Sequence, residues 1–543
     1  MPITAFLEDN ARKFGGDCAL VEVNPEMRTG SAPWSEAELV ESDRHPGYRK
    51  TLTWAEFDEQ TNRFANLLLR RGVKKGDKVA ILLMNCIEWL PVYFGTLKAG
   101  AIAVPLNFRY ASDEIRYCLD LADASVLVFG AEFITRMEAI QNEIPKLKLQ
   151  LFVGEACPRF AEDCLALAAE CSAQKPAVAI GDEDDGAIYF SSGTTGFPKA
   201  ILHSHAALVS ACVTEQAHHG QTKDDVFLCI PPLYHTGAKM HWFGSLLVGG
   251  RAVLLRGATP RWIMETASRE KASIVWLLVP WAQDILDAID SGEIKPDELD
   301  LSAWRLMHIG AQPVPPSLVK RWQSVFPSHA YDTNYGLSES LGPGAVHLGV
   351  ENVRKVGAIG VAGHCWQARI VDEGGVDVTP GQVGELAVKG PGVMRCYYKD
   401  EEATAAVLRG DWLFTGDMAR QDEEGFIYLV DRKKDVIITG GENLYPVQIE
   451  DFLRAHPKIK DVAVIGLPDH RLGEIACAII EIKPDQSATE GEIMEFCAAL
   501  PRYKRPRRIV FDVVPRNPTG KIEKPRLRKK YVGESLVEQQ IKE

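Results

Sequence analysis

Apolar residues recur every three or four positions from Thr53 to Gly72: Trp54, Phe57, Phe64, Leu67 and Leu68 share one face, Thr53 and Glu56 stand at capping-box spacing, and Gly72 closes the segment. The pattern predicts an amphipathic helix. Short, uniformly apolar runs follow at 79–84, 101–104 and 125–129, and resume at 226–230, 252–255, 273–279 and 305–310, alternating with helix-like stretches. Such runs read as strands buried on both faces of mainly parallel sheets, so two α/β layers are expected. After about residue 355 the pattern changes to glycines and alternating strands at 384–390 and 425–432, a small antiparallel subdomain. Beyond Lys434 a compact unit begins, with strand patterns at 462–466 and 476–482 and a helical one at 447–456. The expected class is α/β: a large N-terminal domain of stacked α/β layers plus a small β subdomain (1–432), and an α+β C-terminal domain (433–543). Neither an internal repeat nor a low-complexity tract interrupts this order.

Composition narrows the picture. At 543 residues, 46% of them hydrophobic, the chain is too long for one core. A net charge of −13 argues against coating nucleic acid or an anionic membrane, so any anion site must be local. Twelve cysteines, from Cys18 to Cys497, include no C-x-x-C pair and read as core thiols of a reducing compartment. The N-terminus lacks the profile of a signal peptide, and no apolar run reaches the ~20 residues that span a bilayer. A soluble, cytoplasmic protein is expected.

One stretch is different in kind. The strand pattern ending at Phe190 gives way to Ser191, Ser192, Gly193, Thr194, Thr195 and Gly196, then to Lys199. Hydroxyls and backbone N–H groups freed by glycine form a concave donor surface, and a lysine adds a point charge suited to phosphate oxygens. An ordinary turn between strand and helix is the plainer reading. It is neither a P-loop of the G-x-x-x-x-G-K-[ST] form nor a G-x-G-x-x-G dinucleotide loop.

The segment "SSGTTGFPK" resembles the phosphate loop of the adenylate-forming (AMP-binding) superfamily, which includes acyl-CoA synthetases, peptide-synthetase adenylation domains and firefly-type luciferases. Four further stretches fall in that family's order: "YGLSE" (335–339), "DWLFTGD" (411–417), "DRKKDVIITGGENLYPVQIE" (431–450) and "PRNPTGKI" (515–522). The resemblance implies an ATP-dependent acid–CoA ligase: a carboxylate attacks the α-phosphorus of ATP, pyrophosphate leaves, and the thiol of CoA then displaces AMP. It implies ATP, Mg2+ and CoA as cofactors and a small-molecule carboxylic acid as partner, with a medium- or long-chain fatty acid or an aromatic or alicyclic acid as the substrate class. A homodimer is left open.

Carried over residue by residue, the resemblance makes Lys521 the lysine of adenylation, and counts His235 and Lys199 with it as catalytic. Glu339 would hold Mg2+ with Thr194; Ser338 stands where the family commonly has threonine. Asp417 would accept the ribose hydroxyls, with Arg432 reaching the ribose or phosphates. Ala311, Thr333, Asn334 and Tyr335 would flank adenine, Tyr335 by stacking. Lys434 falls at the family's hinge, about which the C-terminal domain rotates between the two half-reactions, and Gly440 and Gly441 would line the pantetheine passage. A tight turn using both glycines is compatible with that role.

The acyl pocket is less defined. Trp242 and Trp281 favour an apolar or ring-bearing acid, whereas Lys239 and His241 are costly in an apolar tunnel unless paired. Either they turn to solvent or the acid carries a polar group. Residues 24–50 insert a polar segment, read as a surface excursion, with Trp34 and its acidic neighbours as an alternative subunit contact. Two competing functions remain: a free-standing adenylation enzyme loading a carrier protein, and a non-catalytic nucleotide- and acyl-binding homologue. The retained Lys199, Glu339, Asp417, Arg432 and Lys521 count against the second.

Overall fold

The Thr53–Gly72 pattern forms the helix Trp54–Arg70, and its capping box is complete: Thr53 Oγ1 accepts from Glu56 N at 3.2 Å while Glu56 Oε2 accepts from Thr53 N at 2.8 Å. In this computed structural model the described residues are 1–25, 49–191, 198–310, 314–440, 442–516 and 522–532. Two large sheets form the frame. The first has seven strands, in the order Ala330–Asp332, Leu306–Gly310, Ile274–Leu278, Val226–Cys229, Arg251–Leu255, Cys18–Val23 and Arg49–Thr53, parallel except for the last pair. The second has eight, and its parallel part runs from Asp185–Ser191 through Ile102–Pro105, Lys78–Leu82 and Ala124–Gly130 to Leu149–Val153 and Glu162–Asp163.

The main core lies between the two sheets, where the helices Trp54–Arg70, Trp89–Lys98, His205–His219 and Thr236–Val248 contribute buried residues together with both sheets' inner faces. Trp89–Lys98 is buried at every residue. Even Lys98 is enclosed, its ammonium bonded to Asp58 Oδ1 at 2.5 Å and Asn62 Oδ1 at 2.8 Å, so the buried charge has partners. The outer faces are covered by other helices, Pro260–Arg269, Val279–Asp290 and Pro316–Val325 on the first sheet and Ser112–Leu121 on the second.

A third, antiparallel sheet is built from Gln367–Val371, Val383–Lys389, Trp412–Gln421 and Ile427–Arg432, with the short strand Leu408–Arg409. The chain then enters a separate sheet of Ile437–Thr439, Glu442–Leu444, Ile459–Asp469, Gly473–Ile482 and Arg508–Phe511, with cores of its own.

Several expectations are modified. The glycine-rich loop does not lead into a helix: Asp185–Ser191 pairs antiparallel with Lys199–Ser204, and the helix His205–His219 begins only after that second strand. Arg49–Thr53 pairs back on Cys18–Val23, so the 24–50 segment ends in strand at Arg49 and Lys50; its residues 26–48, Trp34 among them, lie outside the described residues. Trp242 lies in the core between the sheets. Its indole is fully buried among Phe57, Phe94 and Phe243, with ring centroids 5.9–6.3 Å away, because the inward face of its helix supplies the core between the sheets. Trp281 packs at the edge of the other core. The side chains of Lys239 and His241 lie outside the described residues. All twelve cysteines are free thiols.

Candidate active site

Strands Trp412–Gln421 and Ile427–Arg432 run antiparallel with Asp417 directly opposite Arg432, and this register brings Arg432 Nε to 2.9 Å from Asp417 Oδ1. From the facing strand Asn334–Leu337 the Tyr335 hydroxyl donates to Asp417 Oδ2 at 2.5 Å. Burial, then the charge of Asp417, pushes the Tyr335 phenol well above its ordinary pKa, so it remains a donor. Glu385 braces the strand that carries Asp417. One of its oxygens accepts from Gly416 N at 3.0 Å, and the other meets the Lys433 ammonium at 3.0 Å. Asp417 is thus a buried carboxylate fixed from both sides, with acceptor capacity left for a vicinal diol.

A second cluster forms at the base of the glycine-rich loop. Ser191 and Lys199 face each other across the hairpin and close the loop between them. On its other edge the Lys199 strand pairs with Cys396–Tyr397, and the Lys199 ammonium lies 4.5 Å from the centroid of the Tyr397 ring. The Tyr397 hydroxyl donates to Glu339 Oε1 at 2.8 Å. Glu339 sits in the 3-10 turn Ser338–Ser340, whose position is set by two further bonds. His203 Nε2 reaches Ser338 O at 2.8 Å, and Met394 N donates to Glu339 O at 2.8 Å. Burial lowers the His203 pKa to about 4, so the ring is neutral at physiological pH and gives its Nε2 proton to that carbonyl. Glu339, linked to Lys199 through Tyr397, presents a hard oxygen donor, the ligand type Mg2+ takes.

Thr333 is buried just before Tyr335, and the Asn334 amide donates to Glu215 Oε1 at 3.2 Å. His235 caps the helix Thr236–Val248 by accepting from Gly237 N through Nδ1 at 3.3 Å. Gly440 has φ of +58°, in the left-handed region, and its N–H donates to Leu472 O at 2.8 Å. Gly440 thus has the left-handed conformation that a tight turn uses. Ser192, Gly193, Thr194, Thr195, Gly196, Ala311, Gly441 and Lys521 lie outside the described residues. Sequence reasoning did not single out Tyr397, Glu385 or His203. Tyr397 stands in "MRCYYKD", a stretch without periodicity; Glu385 and His203 lie on strands whose pattern marks burial but not a partner.

The family profile described as "AMP-binding enzyme" matches residues 29–398, and that described as "AMP-binding enzyme C-terminal domain" matches residues 448–521. The chain belongs to the AMP-binding enzymes, among their AMP-forming acyl-CoA synthetases. Among characterised AMP-binding enzymes it is 32% identical to a long-chain-fatty-acid–CoA ligase of Mycobacterium tuberculosis over 88% of this chain and 93% of that one. It is 33% identical to a feruloyl-CoA synthase of an Amycolatopsis species over 90% and 95%. The solved structure of an anthranilate CoA ligase in complex with anthranoyl-AMP superimposes with a TM-score of 0.85 at 25% identity, covering 98% of this chain and 97% of that one. In this AMP-binding enzyme no described helix is long and apolar enough to cross a membrane.

Proposed function

We propose that this acid–CoA ligase activates a carboxylic acid with an apolar body, a fatty or aromatic acid, and that the two clusters above are its nucleotide site. The pairing of Tyr335, Asp417 and Arg432 in one cluster with Lys199, Tyr397 and Glu339 in another carries the reading: one offers a diol acceptor, and the other a cation and a carboxylate at the base of the glycine-rich loop. In this reading Asp417 accepts from the ribose hydroxyls, Arg432 neutralises charge beside it, and Tyr335 offers its ring to adenine while its hydroxyl holds Asp417. Ser191 to Gly196, with Lys199, cradle the phosphates. Thr333, Asn334 and Ala311 border the base, and Ser338 shapes the turn that carries Glu339.

Glu339, oriented by Tyr397 and joined by Thr194, would hold Mg2+, which supplies charge neutralisation at the phosphate oxygens when bound. Lys521 would reach the reacting carboxylate and α-phosphate oxygens, where a positioned cation lowers the barrier. The C-terminal domain, 433–543, would turn about Lys434 to bring Gly440 and Gly441 against pantetheine, while His235 borders the acyl group. The assignment to apolar acids is supported by the similarity to fatty-acid and feruloyl ligases. A cytoplasmic location fits the twelve free thiols, and a homodimer belongs to the same proposal.

The experiment is pyrophosphate release across short, medium, long and aromatic acids, with and without CoA. AMP, pyrophosphate and acyl-CoA are expected, with the highest kcat/KM for an apolar acid. ADP and inorganic phosphate as primary products would refute the reaction, and a preference for short polar acids would refute the substrate class.

A further inference from the structure

Behind the strand that presents Tyr335, four side chains from four separate elements converge on one point. They are His219 at the end of the helix His205–His219, His308 on Leu306–Gly310, Asp332 at the end of Ala330–Asp332, and His347 at the end of Gly342–His347. His219 Nε2 lies 3.0 Å from His308 Nδ1 and 3.3 Å from Asp332 Oδ2, and His308 Nδ1 lies 3.5 Å from the same oxygen. His347 Nε2 approaches Asp332 Oδ2 to 2.5 Å. The side chains of His219, His308 and Asp332 have no exposure and that of His347 has 9%.

We infer that His219, Asp332 and His347, whose donor atoms all lie within 4.8 Å of one another, hold a closed, structural zinc ion, with His308, next to His219 and Asp332, as the fourth donor. With zinc–ligand bonds of about 2.0–2.1 Å, the corners of a ligand tetrahedron stand roughly 3.3–3.4 Å apart, which is the spacing of the His219, His308 and Asp332 donors. The His347–Asp332 contact, at 2.5 Å, is shorter still and would open by about 1 Å on metal binding. Imidazole-rich donors with one carboxylate suit zinc rather than Mg2+ or Ca2+, and four protein ligands leave no position for a reacting water.

The surroundings orient these donors as ligands. Asp332 Oδ1 accepts from Gly349 N at 3.2 Å, which leaves Oδ2 for the centre. On the far side of the His219 ring, Nδ1 lies 3.5 Å from Glu215 Oε2, a carboxylate suited to accept an Nδ1 proton and leave Nε2 to face inward. The His347 ring is stacked on His218 with centroids 3.7 Å apart, and His218 Nε2 in turn accepts from His364 N at 3.1 Å. Because Asp332 directly precedes Thr333, Asn334 and Tyr335, and His308 lies two residues before Gly310, the ion would pin together from behind the two strands that border the proposed adenine site. The ion takes no part in the adenylation proposed above, and its presence can be tested without activity.

The test is elemental analysis of the untagged full-length protein after exhaustive dialysis, paired with cobalt substitution. Stoichiometric zinc is expected, together with the visible absorption of tetrahedral cobalt in the exchanged protein. Asp332→Ala and His219→Ala should each lose the metal, and the milder His347→Gln should lower its occupancy while circular dichroism shows retained folding. A folded, active wild-type protein that carries no zinc and takes up neither zinc nor cobalt would overturn the site. It would show the four groups to be a hydrogen-bonded cluster only. Retention of full metal occupancy by folded His347→Gln and Asp332→Ala proteins would likewise overturn it.

Discussion

Glu339 is oriented by a phenol that no sequence pattern marks. Tyr397 donates to it at 2.8 Å while its ring lies under the Lys199 ammonium, so one side chain couples the cation and the carboxylate of the phosphate region. Removing a hydroxyl that donates to a charged acceptor costs about 1.5 kcal/mol, or roughly tenfold. Tyr397→Phe should raise the Mg2+ concentration needed for half-maximal pyrophosphate exchange by about tenfold at unchanged melting temperature. An unaltered Mg2+ dependence would remove Tyr397 from the site. Asp431 gives a second test. Burial raises its pKa to about 6, although Arg432 N and Val447 N donate to it at 2.7 and 2.9 Å. Because the folded-state value exceeds the ordinary 3.8, this group's contribution to stability is full below about pH 4 and is lost as pH rises through about 6. Wild type should therefore lose about 1–3 kcal/mol relative to Asp431→Asn between about pH 4 and pH 6, read from paired urea titrations. A constant difference would show that the carboxyl ionises normally in the folded protein.

Among the elements, the hairpin joining Ile437–Thr439 to Glu442–Leu444 has two separable demands for glycine. Gly440 is needed for its φ of +58°, and a Cβ there would also stand 3.3 Å from Leu472 Cδ2. Gly440→Ala should cost about 1–2 kcal/mol of stability in the C-terminal unit, measured by denaturant titration. A cost near zero would mean that the turn relaxes to another geometry. Gly441 is assigned to the pantetheine passage, so Gly441→Leu should still exchange pyrophosphate with ATP while making almost no acyl-CoA. Thioester formation at the wild-type rate by the folded variant would place the passage elsewhere. Elements with a local signal were legible in the sequence: the capping box at Thr53 and Glu56 marks its helix start, and apolar runs mark the buried strands. The helix Trp89–Lys98 was not singled out, because burial on every side erases the polar face that a helical period requires. The partner of Asp185–Ser191 was likewise hidden, since the short Lys199–Ser204 run does not reveal whether it extends into a strand or winds into a helix.

At the scale of the molecule, a chain of net charge −13 concentrates cations locally: residues 501–530 carry twelve Lys or Arg against Asp512 and Glu523. Lys521 lies in that stretch, and its proposed role depends on domain rotation. Lys521→Ala should depress adenylate formation by on the order of a hundredfold, the scale for one lost transition-state charge contact, while conversion of supplied acyl-AMP to acyl-CoA survives. Equal loss of both half-reactions would contradict two alternating arrangements of the C-terminal domain.

Local order and motif order were already determined by the sequence. Amphipathic spacing, apolar runs, the hydroxyl- and glycine-rich loop and the succession of "YGLSE", "FTGD" and "PTGKI" need only neighbouring residues to be read, and they identify the class of enzyme. Tertiary structure decided everything that depends on residues far apart in the chain meeting. It placed Trp242 in the core, joined Tyr335 to Asp417 and Tyr397 to Glu339, and gathered His219, His308, Asp332 and His347 from four elements. The physical reason is that a side chain's partner is set by which strands pair and in what register, and periodicity along the chain reports which face is buried without reporting what lies across from it.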